Sequence, residues 1–507
     1  MMMPSPQPKR CRTPLAVAML ALASLLLTAD AACCQESDEL TREQVVGAMH
    51  RAVNFFRDSA SADGGYVYQL SADLSKREGE GVVGPTTAWI QPPGTPAVGM
   101  GYLMAYQLCG DPLLLEAAKE TAEALQRGQL ESGGWDNRIE FDPDERQRYA
   151  YRSDRSDLPK RKLRNTTTLD DDKSQSVIRF LMQLDQELEM KDADLRDTIS
   201  YALDSLLRAQ YPNGAWPQKF SEHHDPTDFP VLKASLPKSW PKTFPGKKYA
   251  GFYTLNDNTM GDVIETLLDA WDIYGEQRFL DAAVRGGEFF LLAQLPEPQP
   301  GWAQQYDRSM HPAWARKFEP PAVSGGESQR VMQTLMLLYR RTSTPTNPTQ
   351  RFLEPLPRAI DYYRKSELAD GQMARFYELH SNRPLYFTRD YQLTYASDDM
   401  PTHYAFIVKS NLDRIERELH ELQSDPADAL QPSSSRLSVK RTSKLDALTA
   451  KVIESLDERG AWVEEGQLRY HGEQDSTREV IRSTTFVRNL LQLARWMDAD
   501  ASSAESE

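Results

Sequence analysis

The feature that most restricts this chain is a repeat. A Gly-containing turn followed by an aromatic or apolar residue recurs six times, as Gly64-Gly65-Tyr66, Gly133-Gly134-Trp135, Gly214-Ala215-Trp216, Gly301-Trp302, Gly371-Gln372-Met373 and Gly460-Ala461-Trp462. The spacing is roughly 70 to 90 residues, longer than the common solenoid periods. Each turn follows an amphipathic stretch and precedes polar chain and a second apolar stretch. Helical spacing is visible in Leu115, Ala118, Ala122 and Leu125, in Ile199, Ala202, Leu203, Leu206 and Leu207, in Val284, Phe289 and Leu292, and in Leu445, Leu448, Val452 and Leu456. Second helices are expected at Val177–Leu184, Val263–Ile273, Val331–Leu338, Ala405–Leu412 and Val487–Trp496. Two helices per unit and six units predict an all-α fold, an (α/α) toroid of about six helical hairpins. An open helical solenoid is the alternative. Strand signals are few and short.

The remaining segments bound the domain. Lys9, Arg10 and Arg12 precede an apolar run, Leu15 to Ala29, and Ala29-Asp30-Ala31 fits a small-x-small cleavage site. Residues 1–31 therefore read as a signal peptide, which implies a secreted or periplasmic protein without stable membrane insertion. The toroid is expected over 40–497, followed by a disordered acidic tail at 498–507. Gln423–Ser443 is a Ser/Pro-rich linker. The net charge of −15 argues against nucleic-acid binding. The four cysteines form no disulfide framework and have no metal spacing. Two basic loops, Arg148–Arg164 and Lys219–Lys248, read equally well as solvated surface or as functional patches.

In a toroid, the segments that enter every second helix gather on one face of the ring. Three of them are chemically unusual. Thr168-Leu169-Asp170-Asp171-Asp172-Lys173-Ser174 and Thr254-Leu255-Asn256-Asp257-Asn258-Thr259-Met260 are rich in Asp and Asn. Helix capping explains one such residue, but three adjacent Asp must be solvated or neutralised. A hard cation such as calcium is the natural neutraliser. The third segment, Trp314-Ala315-Arg316-Lys317-Phe318-Glu319-Pro320, leads into Ser324-Gly325-Gly326-Glu327-Ser328. Arg316, Arg375 and Arg389 offer guanidinium forks suited to carboxylates. Salt bridges to Glu319, Glu378 or Asp390 are the favoured explanation for any one of them, less so for Arg316 and Arg375, which share an Ala-Arg-x-aromatic-Glu pattern.

Taken in order, these motifs resemble the family 10 polysaccharide lyases, the pectic acid lyases, over roughly residues 115–410. The matching pieces are Leu169-Asp170-Asp171, Asn213-Gly214-Ala215-Trp216-Pro217-Gln218, Thr254-Leu255-Asn256-Asp257-Asn258, Ala315-Arg316-Lys317-Phe318-Glu319, Ser324-Gly325-Gly326-Glu327-Ser328, Ala374-Arg375-Phe376-Tyr377-Glu378, Asn382-Arg383-Pro384 and Arg389-Asp390. The resemblance implies a pectate lyase that cleaves polygalacturonate by calcium-assisted β-elimination. It implies Arg316 as catalytic base, Asp170 and Asp257 as calcium ligands, and Arg375, Arg389, Asp171 and Trp216 as substrate contacts. Arg is an awkward base because it is effectively always protonated. Three departures stand out: Asp172-Lys173 replaces the family's Gly-Ala, Ala215 replaces a Gly, and Lys219–Lys248 looks inserted. The competing readings are a glycoside hydrolase with Asp170 and Asp257 as acid and base, a non-catalytic uronate-binding protein, and a helical-repeat scaffold.

Overall fold

The computed structural model describes residues 40–154, 159, 162–222, 224–246, 248–344, 349–424 and 440–504. The signal peptide expected at 1–31, Cys33 and Cys34 lie outside these residues, as does most of the Gln423–Ser443 linker. Residues 41–507 form one compact unit.

The helices fall into six outer–inner units, as the repeat predicts. They are α1 (Arg42–Phe55) and α2 (Thr95–Cys109), α3 (Pro112–Arg127) and α4 (Lys173–Glu187), α5 (Ala193–Ala209) and α6 (Thr259–Tyr274). The other three are α7 (Gln277–Ala293) and α8 (Glu327–Thr342), α9 (Leu356–Ser366) and α10 (Leu412–Ser424), α11 (Ser443–Glu454) and α12 (Ser483–Ala504). The inner helices follow one another around the ring. α12 packs on α2, α2 on α4, α4 on α6, α6 on α8, and α8 on α10. The fold is an all-α (α/α) toroid with only short strands in its loops.

Local chemistry sets the helix ends. Asp192 caps α5, its carboxylate accepting from the Asp194 and Leu195 amides at 3.1 and 3.0 Å. Such a cap stabilises by about 1 kcal/mol. Thr41 and Gln44 form a reciprocal capping box on α1. Most inner helices bury one face against the ring. α2 is apolar nearly all round because it is enclosed by both neighbours. A Cβ at Gly99 would meet the Phe180 ring of α4 at 2.5 Å, and one at Gly101 would meet Val487 of α12 at 2.9 Å.

The repeated turns are structural joints. Gly214 has φ +93°, and an added Cβ would lie 2.0 Å from the Arg285 carbonyl oxygen. The Trp after the turn points inward. Trp135, Trp216, Trp302 and Trp462 donate their indole N–H to the carbonyls of Leu125, Leu206, Phe290 and Val452 in the preceding outer helix, at 2.8–2.9 Å. At three of the turns a buried Gln ties the turn to the next outer helix or its N-terminus. Gln129 donates to Gly133 and Thr198, Gln210 to Gly214 and Ala282, and Gln294 to Pro300 and Pro355. Short antiparallel ladders link successive loops, such as Thr167–Thr168 with Lys219–Phe220 and Tyr253–Thr254 with Gln305–Tyr306. The first and last units are joined the same way, with Gln69–Ser71 paired to Glu479–Arg482.

Two sequence expectations are corrected. Ala405–Leu412 is not helical. Ile407–Val408 pairs with Met373–Ala374, and the helix begins only at Leu412. A short apolar run has no periodicity to separate strand from helix. The tail expected to be disordered from 498 continues α12 to Ala504, and Asp500 holds Arg441 at 2.9 Å. Residues 505–507 lie outside the described residues.

Candidate active site

The loops that enter α4, α6 and α8 build one polar cluster. Leu169 and Leu255 are both buried, and each leads into a one-turn 3₁₀ helix. In both turns two consecutive residues are left-handed: Asp171 and Asp172 at φ 52° and 57°, Asp257 and Asn258 at φ 46° and 60°. Left-handed backbone costs a non-glycine residue roughly 1 kcal/mol or more. Neither α4 nor α6 receives a side-chain cap from these turns. Capping therefore does not account for the acidic runs. The strain instead places Asp171 and Asp257 at equivalent positions on consecutive units.

Asp170, Asp171 and Asp257 come together. Each offers one carboxylate oxygen, and the three lie within 4.8 Å of one another. Asp171, expected as a substrate contact, thus joins the two residues expected to hold a cation. Gln218 donates to Asp170 at 2.8 Å, and Asn256 donates to Asp257 at 2.7 Å. Lys173, fully buried, donates to Asp171 at 3.0 Å. It supplies one positive charge to three carboxylates. The shortfall is visible in their acidity. Burial, then the charges of Glu327, Asp171 and Asp170, push Asp257 up to about 7. Burial and the Asp171 charge likewise raise Asp170. The oxygen donors and the excess negative charge fit a hard divalent cation. The third acid of the run is occupied elsewhere: Asp172 accepts from Arg179 at 2.5 Å.

The arginine constellation is only partly assembled. Arg316 grips the buried Glu319 with Nε at 2.8 Å and Nη2 at 2.5 Å. Burial opposes the guanidinium charge, but Glu319 outweighs it, with Tyr404 and Asp257 adding, and Arg316 is held above its ordinary value. Its side chain remains 41% exposed while that of Glu319 is 1% exposed, so the guanidinium still reaches solvent. The Tyr404 hydroxyl donates to Glu319 at 3.0 Å and lies 2.9 Å from Arg375 Nη1. Arg375 reaches Glu327 at 3.3 Å, while its buried Nε has no partner. A continuous chain therefore runs from Arg316 through Glu319, Tyr404 and Arg375 to Glu327, whose charge acts on Asp257. Both groups act on Tyr249. Burial and then Glu319 raise its phenol, and Arg316, Asp170 and Asp257 all act on it.

Two expected substrate contacts are not in this cluster. Trp216 is fully buried and is the Trp of the repeated joint. It has no face to offer a sugar. Trp216→Phe is expected to destabilise the fold by about 1–3 kcal/mol, through the lost hydrogen bond and packing. Chemical denaturation measures this loss, and turnover by the remaining folded protein is expected to be unchanged. Arg389 lies in an exposed loop, 71% exposed, with Asp399 at 3.5 Å. The Lys219–Lys248 loop acts as a buttress. Trp240 and Phe244 pack on Trp314, whose indole donates to the Pro241 carbonyl at 2.9 Å, two residues before Arg316. Among the described basic residues of Arg148–Arg164, Arg148 pairs with Glu145, Arg152 with Asp197, and Arg164 lies over the Tyr149 ring.

The site residues came from motifs within residues 129–404, and that is the segment the pectic acid lyase family profile matches. The match covers more than half of the chain, and the protein belongs to the pectic acid lyase family. Among solved structures, the chain is similar to the family 10 polysaccharide lyase from Cellvibrio cellulosa at 20% identity and TM-score 0.43, covering 60% of this chain and 91% of that one. A mutant of that lyase in complex with trigalacturonic acid matches at 19% identity, with the same coverage and TM-score. Cellobiose 2-epimerase from Spirochaeta thermophila matches at 12% identity and TM-score 0.44, covering 91% of this chain and 97% of that one. No curated protein sequence matches the chain.

Proposed function

We propose that this polysaccharide lyase cleaves polygalacturonate by calcium-assisted β-elimination, releasing 4,5-unsaturated oligogalacturonides. The observation that carries the reading is the three-carboxylate cluster beside an exposed arginine, within a family of pectic acid lyases. Asp170, Asp171 and Asp257 would hold the cation. Bound calcium supplies Lewis-acid stabilisation to the negative charge that gathers on the uronate carboxylate. Arg375 and Arg316 offer donors to substrate carboxylates. The C5 proton is removed, the C4–oxygen bond breaks, and a C4–C5 double bond forms. Arg316 is the base we assign to that proton. Glu319 favours its protonated form, so the assignment requires an alkaline optimum. Export is part of the same proposal, supported by the basic and apolar pattern of residues 1–31.

The test follows ultraviolet absorbance of polygalacturonate at alkaline pH, first with calcium and then with a chelator. A calcium-dependent rise is expected, from the conjugated double bond. New reducing ends without that rise would mean hydrolysis, with Asp170 and Asp257 as the acid and base pair. Binding without either signal would leave a uronate-binding protein.

A further inference from the structure

The loop between α1 and α2 buries a charge that no carboxylate among the described residues neutralises. Arg77 lies in a short strand, Arg77–Glu78, paired with Gln69–Ser71. The residue is 7% exposed. Its Nε and Nη2 are buried and have no hydrogen-bond partner. Burial alone acts on the guanidinium, lowering it to about 10, and no carboxylate offsets that effect. It therefore stays protonated at neutral pH. A buried unpaired cation costs several kcal/mol, and native proteins normally pair it. Its neighbouring Glu78 is occupied on the opposite face of the strand, with Gln69 and the Arg469 and Tyr470 amides.

The unused donors are not isolated. Leu70 is directly opposite Arg77, so Tyr68, two residues back, shares its face. The Tyr68 hydroxyl and the Trp89 indole N–H are also buried, and among the described residues each has only the other as a neighbouring hydrogen-bonding group, the indole acting on the phenol as a donor without closing a well-formed bond. The two rings meet edge to face at 6.1 Å, and Trp89 lies directly over Gly79, the residue after the Arg77–Glu78 strand. Two acceptors in the adjoining segments are likewise buried without partners, Gln91 Oε1 and Asn137 Oδ1. Ile90, between Trp89 and Gln91, donates its amide to the Asn137 carbonyl at 2.9 Å, which holds these segments together. Burial and then Glu80, whose carboxylate accepts from Gln91 Nε2 at 3.1 Å, raise the Tyr68 phenol, and Asp171 of the candidate active site acts on it as well.

Three kinds of donor, one of them cationic, together with two amide oxygens form a set that matches a hydroxylated carboxylate. We infer that Arg77, Tyr68 and Trp89 form a carboxylate subsite for a uronate residue of the polysaccharide, with Gln91 and Asn137 accepting its hydroxyls. Except for Asn137, these residues lie outside the segment matched by the family, 129–404. The subsite is thus an addition made by the first unit of the ring, and it lengthens the stretch of polymer that the protein holds. The inference rests on the proposed uronate substrate for its ligand.

The test reads the Trp89 side chain directly. The indole N–H resonances of the full-length mature protein are recorded, and the Trp89 signal is assigned with Trp89→Phe. D-galacturonate and then oligogalacturonates of increasing length are titrated in. The Trp89 signal is expected to shift with galacturonate in the wild type and to stay fixed in Arg77→Met. The other indole signals in Arg77→Met report whether the variant is folded, and Arg77→Lys is expected to restore part of the shift. Calorimetry on the same oligomers is expected to show that Arg77→Met loses roughly tenfold or more of the affinity gained from trimer to longer chains. A Trp89 signal that no galacturonate species moves in the wild type overturns the subsite, whether or not the protein eliminates. A shift in a protein that yields no unsaturated product overturns the lyase reading and keeps the subsite. If Arg77→Met fails to fold, the wild-type titration still decides.

Discussion

Arg316→Ala is expected to lower the rate of elimination by about 10²–10⁴-fold, the usual contribution of a positioned general base. The expectation comes from geometry as much as from the motif. The Arg316 side chain is anchored by a buried carboxylate and is still 41% exposed. Its charge is also coupled to Asp257 across the site. Absorbance of the unsaturated product gives the rate, and calorimetry on a trimer tests whether binding survives. Glu319→Gln separates a base from a purely electrostatic role. Removing the Glu319 charge makes Arg316 easier to deprotonate, so the alkaline limb of the rate profile is expected to move to lower pH. If Arg316 acts only as a cation, that limb stays where it is. An Arg316→Ala protein with near wild-type turnover would end the assignment.

Calcium is expected to stabilise the protein against heat at pH 8 and to do so far less at pH 5. Asp257 sits at about 7 in the folded protein, against an ordinary value of 3.8. A carboxyl raised in the folded state favours folding while protonated, and that contribution is lost as pH rises from about 4 through about 7. The cation binds the charged form, so it restores stability above 7 and competes with protons below it. From Asp257 alone, apparent affinity falls about tenfold per pH unit below 7. At pH 8 and a hundredfold excess over the dissociation constant, the gain is about 2.7 kcal/mol. The facing charges are Asp170, Asp171 and Glu327 on one side, with Lys173 and Arg375 opposing them. Thermal unfolding with calcium or chelator at both pH values measures the effect. Asp257→Asn is expected to abolish most of the calcium gain but only its own share of the loss of stability between pH 4 and 7, because Asp262, at about 7, and Asp269, at about 6, contribute to the same loss. An equal calcium shift at both pH values would exclude this cluster as the binding site.

The turns and four of the six outer helices were legible because their causes are local. A left-handed Gly, a Trp ten to twelve residues beyond its carbonyl partner and an amphipathic stripe all fall within one short window of sequence. α2 was not legible as a discrete helix, since enclosure on both sides leaves no polar face to set a period. Trp216 misleads for a physical reason. An aromatic residue after a Gly turn reads the same whether it packs inward or lies under a sugar. The carboxylate cluster was legible from charge repulsion between neighbours, but the junction of the two groups was not. Tyr404 joins Glu319 to Arg375 from a loop about thirty to eighty-five residues away, and nothing in its flanking sequence marks it. Arg77 is equally silent in sequence, because an unpaired cation is recognised only when its surroundings are known.

The pairing of Leu70 with Ile481 has a consequence for how the chain becomes a ring. The strand that joins the first unit to the last lies more than four hundred residues from its partner. During synthesis, α2 emerges early with Gly101 exposed, and Val487 arrives only at the end. Closure is therefore a late event of very high sequence separation, the kind that makes folding slow and leaves apolar surface open to aggregation in the interval. The central units can form neighbour by neighbour, while the seam between first and last decides when the protein is finished.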